Sequence, residues 1–452
     1  MRAVVLAALA LGVPAVAHAE PETLKPLVVF NNTVLPPDPT ALSISRTVYL
    51  NPCLPNGCTV TPGQDNAITN RSSIPSSTAT LSPWKWGDPA WQDLVACVKD
   101  TFLPFDINVV TVDPGTTDHF EVMVAGTSQQ LRSTLSAGGV APFIGCGATR
   151  SNVISFVFAE QTSSLNYLCA AVAQEAAHVW GLDHELDPKD PMTYLDLSSR
   201  KHFQLSDARC GEELAAPRSC QCGGSTQNSF QYLKTLFGAA NLPPPTITLA
   251  TPADGAWVRP GFPVAADFQS ALGPSGLAWS LDGTQVASLD TGPFAWNAPL
   301  TVAGGAHTVT VAGSDAGGRP ASTTVNIHVT PSCSATQACP DGLHCLGGYC
   351  LPGADVDGGL GATCTSNDAC VTHQCGSDGS DSRCTAACDA GDVCPSGYDC
   401  LSGVCWYAGS GGCAASRGDG TSPAMVLGGL SFLMLLSRRG RRKVARVRPS
   451  RT

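Results

Sequence analysis

Residues 169–194 read Cys-Ala-Ala-Val-Ala-Gln-Glu-Ala-Ala-His-Val-Trp-Gly-Leu-Asp-His-Glu-Leu-Asp-Pro-Lys-Asp-Pro-Met-Thr-Tyr. Gln174 and His178 are four apart, so on a helix their side chains share one face, with Glu175 beside them. Gly181 supplies the residue that tolerates positive φ at a helix end, and the reversal it permits brings His184 back towards His178. Two imidazoles, an adjacent carboxylate and a glycine turn suit a divalent metal, with Glu175 as general base. Met192 and Tyr194 follow on a turn punctuated by Pro188 and Pro191.

In this register the stretch resembles the metzincin metallopeptidases, whose signature is H-E-x-x-H-x-x-G-x-x-H followed by a Met-turn. The match covers Glu175, His178, Gly181, His184 and Met192, and Tyr194 corresponds to the tyrosine that some metzincins place near the metal. The first ligand departs from the pattern. Gln174 stands where the family has His, and an amide oxygen is a neutral, weak donor that prefers harder cations than zinc. The resemblance implies Zn²⁺ held by His178 and His184, with Gln174 or a water in the third place. It also implies that Glu175 takes a proton from water, Tyr194 bonds the oxyanion and Met192 floors the site. His119 and His202 are the other histidines of this part of the chain that could complete the shell. Asp183, Glu185, Asp187 and Asp190 cluster just after the helix; they would suit Ca²⁺, or are a solvated acidic loop.

The segment leading to this stretch has the same mixed character. Residues 20–45 are Pro-rich and weakly patterned, a leader arm. Ser45–Leu50 has strand character, and Cys53 and Cys58 bracket a turn. Trp84–Phe105 places Trp91, Leu94, Val95, Val98 and Phe102 on one face and reads as a helix. Ile107–Val112 and His119–Val124 alternate like strands, and Asn152–Ala159 is apolar enough for a buried one. A helix spans about Ser164–Trp180 and another Ser225–Phe237. Residues 46–242 are thus expected to form an α/β, metzincin-like domain. Its eight cysteines suffice for four disulfides of unreadable connectivity, and Cys169 is either a structural tether or a metal ligand.

Pro243-Pro244-Pro245 opens a cysteine-free module, residues 243–331, with several short strands, Asp-Gly turns, and Trp279 and Trp296 as core bulk. Thr251-Pro-Ala-Asp-Gly, Leu281-Asp-Gly, Pro293-Phe-Ala-Trp and Gly305-Ala-His-Thr-Val-Thr-Val-Ala-Gly resemble bacterial Ig-like repeats, which implies an all-β sandwich. His307 and His328 lie on strands and read as structural. In residues 332–406, Cys333, Cys339, Cys345 and Cys350 share their spacing with Cys388, Cys394, Cys400 and Cys405, and a looser copy lies between. Units this small need staples; disulfides suit them better than zinc, because no C-x-x-C pair occurs.

Both ends read as targeting signals. Met1–Ala19 has the basic start, apolar middle and small-x-small end of a signal peptide, which fits export and 21 cysteines. Near the other end, residues 407–422 carry Cys413, the odd cysteine, ahead of an apolar run from Pro423 to Leu436 and an Arg-rich tail. Together these features resemble the C-terminal sorting tail of myxobacterial surface proteins, with Cys413 as the processing or anchoring point. A plain stop-transfer anchor is the alternative, and either places the body outside the cytoplasm. Eight basic residues and no acids follow Leu436; taken from the net charge of −10 they leave −18 on the body, which does not invite nucleic acid. Three readings follow: a surface-anchored metallopeptidase acting on a protein or peptide, a metzincin-like pseudoenzyme that only binds a partner, and a purely structural surface protein.

Overall fold

The computed structural model describes residues 27–30 (backbone only), 44–131, 137–147, 150–334, 336–377, 379–388, 394–395 and 397–407. The signal peptide, Cys413, the apolar run and the Arg-rich tail fall outside the described residues. Among the described residues no helix is long and apolar enough to cross a membrane.

The N-terminal part is built on a six-stranded sheet of β1 (Leu27–Phe30), β2 (Thr47–Asn51), β6 (Asn108–Val110), β7 (Phe120–Val124), β8 (Gly139–Phe143) and β9 (Ile154–Val157). Its order is β1-β8-β9-β7-β2-β6. β2, β6, β7 and β9 are parallel, β8 runs antiparallel to β9, and β1 runs parallel to β8 from Leu27↔Val140 to Phe30↔Phe143. The arm expected at 20–45 therefore contributes a strand. Four apolar residues carry no period of their own, and their pairing partner lies more than a hundred residues away.

Alternation sorts the side chains between two faces. Val48, Leu50, Phe120, Val122 and Val124 enter a core with α1 (Gly87–Phe102), α2 (Leu165–Val179) and α3 (Ser229–Phe237). Met123, Ile154 and Phe156 point the other way, into a smaller core with β3 (Cys58–Pro62), β4 (Arg71–Ser72) and β5 (Ala79–Leu81). Trp180 is fully buried at the end of α2, edge-on to Phe102, Phe120 and Phe237 at centroid distances of 5.7, 5.6 and 4.8 Å. α2 is buried on nearly every side, which its alanine-rich sequence allows. Ser164 caps its N-terminus by accepting from the Tyr167 amide.

The four disulfides of this part are Cys53–Cys58, Cys97–Cys169, Cys146–Cys222 and Cys210–Cys220. Cys169 is thus the tether between α1 and α2. Besides the six-stranded sheet, β3 pairs with β4 and β5, and β10 (Ala208–Arg209) pairs with β11 (Thr226–Gln227).

Beyond the proline linker lies a β-sandwich. One sheet holds β12 (Thr246–Thr251), β14 (Pro263–Gln269) and β17 (Ala295–Asn297). The other runs β13 (Ala256–Val258), β19 (Pro320–Val329), β18 (Gly305–Asp315), β15 (Pro274–Leu281) and β16 (Thr284–Leu289) in that order. Trp279 is fully buried between them, and Trp296 packs at the margin. His307 bonds Asp282 and the Ala303 carbonyl, whereas His328 stacks on Trp257. Arg319 ties the sandwich to the linker by donating to the Leu242 and Pro243 carbonyls while paired with Asp315.

Each cysteine repeat folds on one hairpin and pairs first with third and second with fourth. The bridges are Cys333–Cys345 and Cys339–Cys350, Cys364–Cys375 and Cys370–Cys384, Cys388–Cys400 and Cys394–Cys405. The looser middle copy obeys the same rule, because pairing follows the hairpin and not the spacing.

Candidate functional site

The end of α2 and the chain after it bring Gln174, Glu175, His178 and His184 together, at 1%, 0%, 0% and 4% exposure. Gly181 makes this reversal. Its φ is +102°, and a Cβ there would lie 2.7 Å from the Tyr232 hydroxyl, 2.9 Å from the Gly145 carbonyl oxygen and 3.0 Å from Cys146 Cα. Glycine is required on both counts.

The turn sets the two imidazoles against each other. His178 Nε2 and His184 Nε2 are 3.1 Å apart, with ring planes at 87°. His178 Nδ1 donates to the Leu182 carbonyl at 2.8 Å, which leaves Nε2 with its lone pair. Burial, and then the neighbouring His184, hold His178 well below the ordinary histidine range. His184 Nδ1 faces Glu212 Oε1 at 3.2 Å. Arg218 spans Glu212 and both oxygens of Asp183, and Asp183 also accepts from the His184 amide. Hydrogen bonds to His184 and then to Arg218 pull Glu212 well below the usual carboxylate range.

The Cys210–Cys220 loop holds this partner set. It pairs with the segment carrying His184 through Gly211 N to the His184 carbonyl at 3.1 Å and Leu186 N to the Arg209 carbonyl at 2.8 Å. Glu212 and Arg218 are functional residues that the sequence reading missed. The Cys210/Cys220 pair flanking them was the available signal, but connectivity was not.

Gln174 Nε2 donates to the Pro191 carbonyl at 2.8 Å, so Oε1 faces inward as a buried acceptor with no hydrogen-bond partner. Both oxygens of Glu175 are likewise buried and unpartnered, and burial drives its carboxyl far above the carboxylate range. Gly139 of β8 makes room for it: a Cβ there would fall 2.5 Å from Oε1 and 2.9 Å from Cδ. Unpaired buried polar atoms of this kind cost stability unless a cation or water satisfies them. Two converging imidazole nitrogens are a partial donor set for a divalent cation, with the outer-shell carboxylate and carbonyl such sites use; among the described residues Glu175 does not join them in a close donor group. Tyr194 packs against His184 at a centroid distance of 4.3 Å. Burial and then Glu175 push its hydroxyl above the ordinary tyrosine range. Met192 is fully buried in the core below, its amide bonded to Asp190.

Other expected contributors lie elsewhere. His202 pairs with Asp100 at the surface, and His119 lines a separate cavity with Tyr49 and Glu121. The four acidic residues after the helix do not form one group: Glu185, Asp187 and Asp190 lie near one another, with burial and then Asp190 pushing the Glu185 carboxyl up to about 10, while Asp183 lies apart. Asp183 is taken by Arg218, while Asp190 accepts from Met192, Gln204 and Ser229. Of the four, only Asp183 belongs to a close donor group among the described residues, with His184 and Glu212. Three cysteine triplets are also close, but all their sulfurs are in disulfides.

With this geometry in hand, the chain was compared with known proteins. Residues 245–311 match the family model of a bacterial Ig domain. No curated protein matches the chain. Among solved structures, similarity is found to the fibronectin(III)-like modules of Clostridium thermocellum CbhA: 20% identity over 18% of this chain and 93% of that one, TM-score 0.17. The endo-beta-1,4-mannanase of Thermotoga petrophila matches at 14% identity over 22% of this chain and 23% of that one, TM-score 0.18. OgpA from Akkermansia muciniphila matches at 13% identity over 47% of this chain and 66% of that one, TM-score 0.15. Structural likeness this slight carries no functional argument. The molecule is mostly β, with few helices, an Ig-like domain and a disulfide-rich C-terminal region.

Proposed function

We propose that this chain is an exported, surface-anchored metallopeptidase of metzincin type that hydrolyses peptide bonds in a protein or peptide substrate. The observation that carries the reading is the 3.1 Å convergence of His178 Nε2 and His184 Nε2 at the end of the helix that also carries the buried, unpartnered carboxyl of Glu175. His178, His184 and Gln174 Oε1 would hold Zn²⁺. Bound there, the ion supplies Lewis-acid polarisation of a carbonyl and a water acidic enough to lose its proton near neutral pH. Glu175 accepts that proton and returns it to the leaving amine. Held ionised, as a cation at His178 and His184 would favour, Glu175 has the form a base requires. Tyr194, held protonated, donates to the developing oxyanion. The Ig-like module and disulfide repeats would carry this domain away from the envelope.

A pseudoenzyme that binds a partner through the same fold is the second reading, and Gln174 favours it, because two imidazoles and a neutral amide hold zinc more weakly than three imidazoles. The two separate on the zinc content of the exported chain after dialysis against a weak chelator. The peptidase reading expects about one zinc per chain, lost in His178→Ala, and peptide cleavage lost in Glu175→Ala with zinc retained. A native chain without zinc, beside a Gln174→His chain that holds it, would hand the site to the binding reading.

A further inference from the structure

A second polar cavity lies on the opposite face of the sheet, away from the α2 site. It measures about 230 Å³ and is lined by Tyr49, Asn51, Asp113, His119 and Glu121, with the Ala67–Asn70 turn across it. Its position follows from the strand registers. Tyr49 pairs with Glu121 across β2 and β7, and both alternate with residues of the helix-side core. They therefore point away from the helices.

Two polar side chains in this cavity are almost wholly buried with an atom to spare. Glu121 is 2% exposed; its Oε1 accepts from Asn51 Nδ2 at 2.7 Å, and no partner among the described residues takes Oε2. His119 is 1% exposed; its Nδ1 bonds the Thr117 carbonyl at 2.8 Å, and no described residue takes Nε2. A carbonyl cannot donate, so Nδ1 carries the hydrogen, and in that tautomer Nε2 is an acceptor. Asp113 adds an exposed carboxylate, bonded among the described residues to the Gly115 amide alone. The Tyr49 ring stands edge-on to His119 at 6.0 Å. The cavity thus offers acceptors, negative charge and an aromatic wall. No lysine or arginine lines it.

We propose that this cavity binds a guanidinium group, such as the side chain of an arginine. The spread of the acceptors selects the ligand. Asp113, His119 and Glu121 do not form a group whose donor atoms all lie within 4.8 Å of one another, so one metal ion cannot touch all three as they stand. An ammonium is a compact point charge with the same difficulty. A guanidinium spreads five N–H donors over a plane and stacks on aromatic rings, which matches separated acceptors beside Tyr49. The site is a binding site distinct from the Glu175 centre, and it stands whether or not that centre cleaves peptides.

The test is calorimetric titration of the exported chain with N-acetyl-argininamide, N-acetyl-citrullinamide, N-acetyl-lysinamide and methylguanidine. The expected result is binding of the argininamide at least tenfold tighter than the neutral citrulline isostere and tighter than the lysine compound. Glu121→Gln and Asp113→Asn should each weaken it, the first by roughly tenfold or more. Methylguanidine binding as well as argininamide would mark a small guanidinium compound as the natural occupant, and tighter argininamide binding would mark a polypeptide arginine; both support the guanidinium site. Equal binding of arginine and citrulline compounds overturns it. So does an affinity that neither substitution changes; Asp113 lies on an exposed turn, so its variant still reports should Glu121→Gln fold poorly.

Discussion

His178 Nε2 and His184 Nε2 face each other at 3.1 Å while each ring's Nδ1 is committed, one to the Leu182 carbonyl and the other to the Glu212 carboxylate. Two acceptor lone pairs so placed repel unless something positive lies between them or one ring takes a proton. The outer partners fix which nitrogen is free, and the Cys210–Cys220 loop fixes the outer partners. Glu212 is therefore a positioning residue for the metal-binding reading. Glu212→Gln keeps the shape but removes the charge that orients and enriches His184, and zinc affinity should fall about 10- to 100-fold. Competition with a chelating dye measures it; unchanged affinity would show that His184 is held by packing alone.

The edge of the sheet beside Glu175 is already paired. β8 carries Gly139 against the Glu175 carboxyl, and its outer side is covered by β1. A peptide that reached Glu175 by adding a strand to β8 would have to replace β1. Deletion of residues 20–43 should therefore raise the rate of peptide cleavage at least several-fold, with no change in zinc content. A rate equal to that of the full chain would show that substrate enters by another edge.

How much of this was legible beforehand depended on the range of the interactions. The amphipathic helix at Gly87–Phe102, the site helix and the Gly181 turn are set within a few residues, and the sequence pattern identifies them. β1, and the Glu212–Arg218–Asp183 cluster around His184, are set by contacts far along the chain or by a disulfide whose partner no spacing reveals. The same limit hid Glu121. A single acid in an apolar strand has no local signal that its neighbour across the sheet is Tyr49, or that a cavity lies in front of it.

Gly181 links the fold to the site most directly. Gly181→Ala must place a side chain at φ +102° and within 3 Å of backbone from the Gly145–Cys146 segment. The strain costs on the order of 1–3 kcal/mol if the turn holds. If the turn yields instead, His184 moves and zinc is lost. Either a melting temperature lowered by several degrees or lost zinc is expected. A variant that keeps both native stability and zinc would show that the chain after α2 can reverse without this glycine.

The last prediction concerns Glu121, whose carboxyl is raised to about 7 by burial, opposed by the Asn51 hydrogen bond and reinforced by Asp113. The folded chain therefore holds a proton that the unfolded chain releases at about 4.3. Between those two values the folded state binds more protons, so stability falls as pH rises through the window and levels off above it. At about 1.4 kcal/mol per pKa unit the loss is bounded at roughly 4 kcal/mol. Glu121→Gln keeps the Asn51 bond and removes the titration. Wild type and variant should be similarly stable near pH 4, and the variant should pull ahead between pH 5 and 7 and stay ahead at pH 8. Thermal melts across this range decide the matter. A difference that does not grow with pH would mean that Glu121 is already ionised in the fold, and that its cavity is better solvated than its 2% exposure implies.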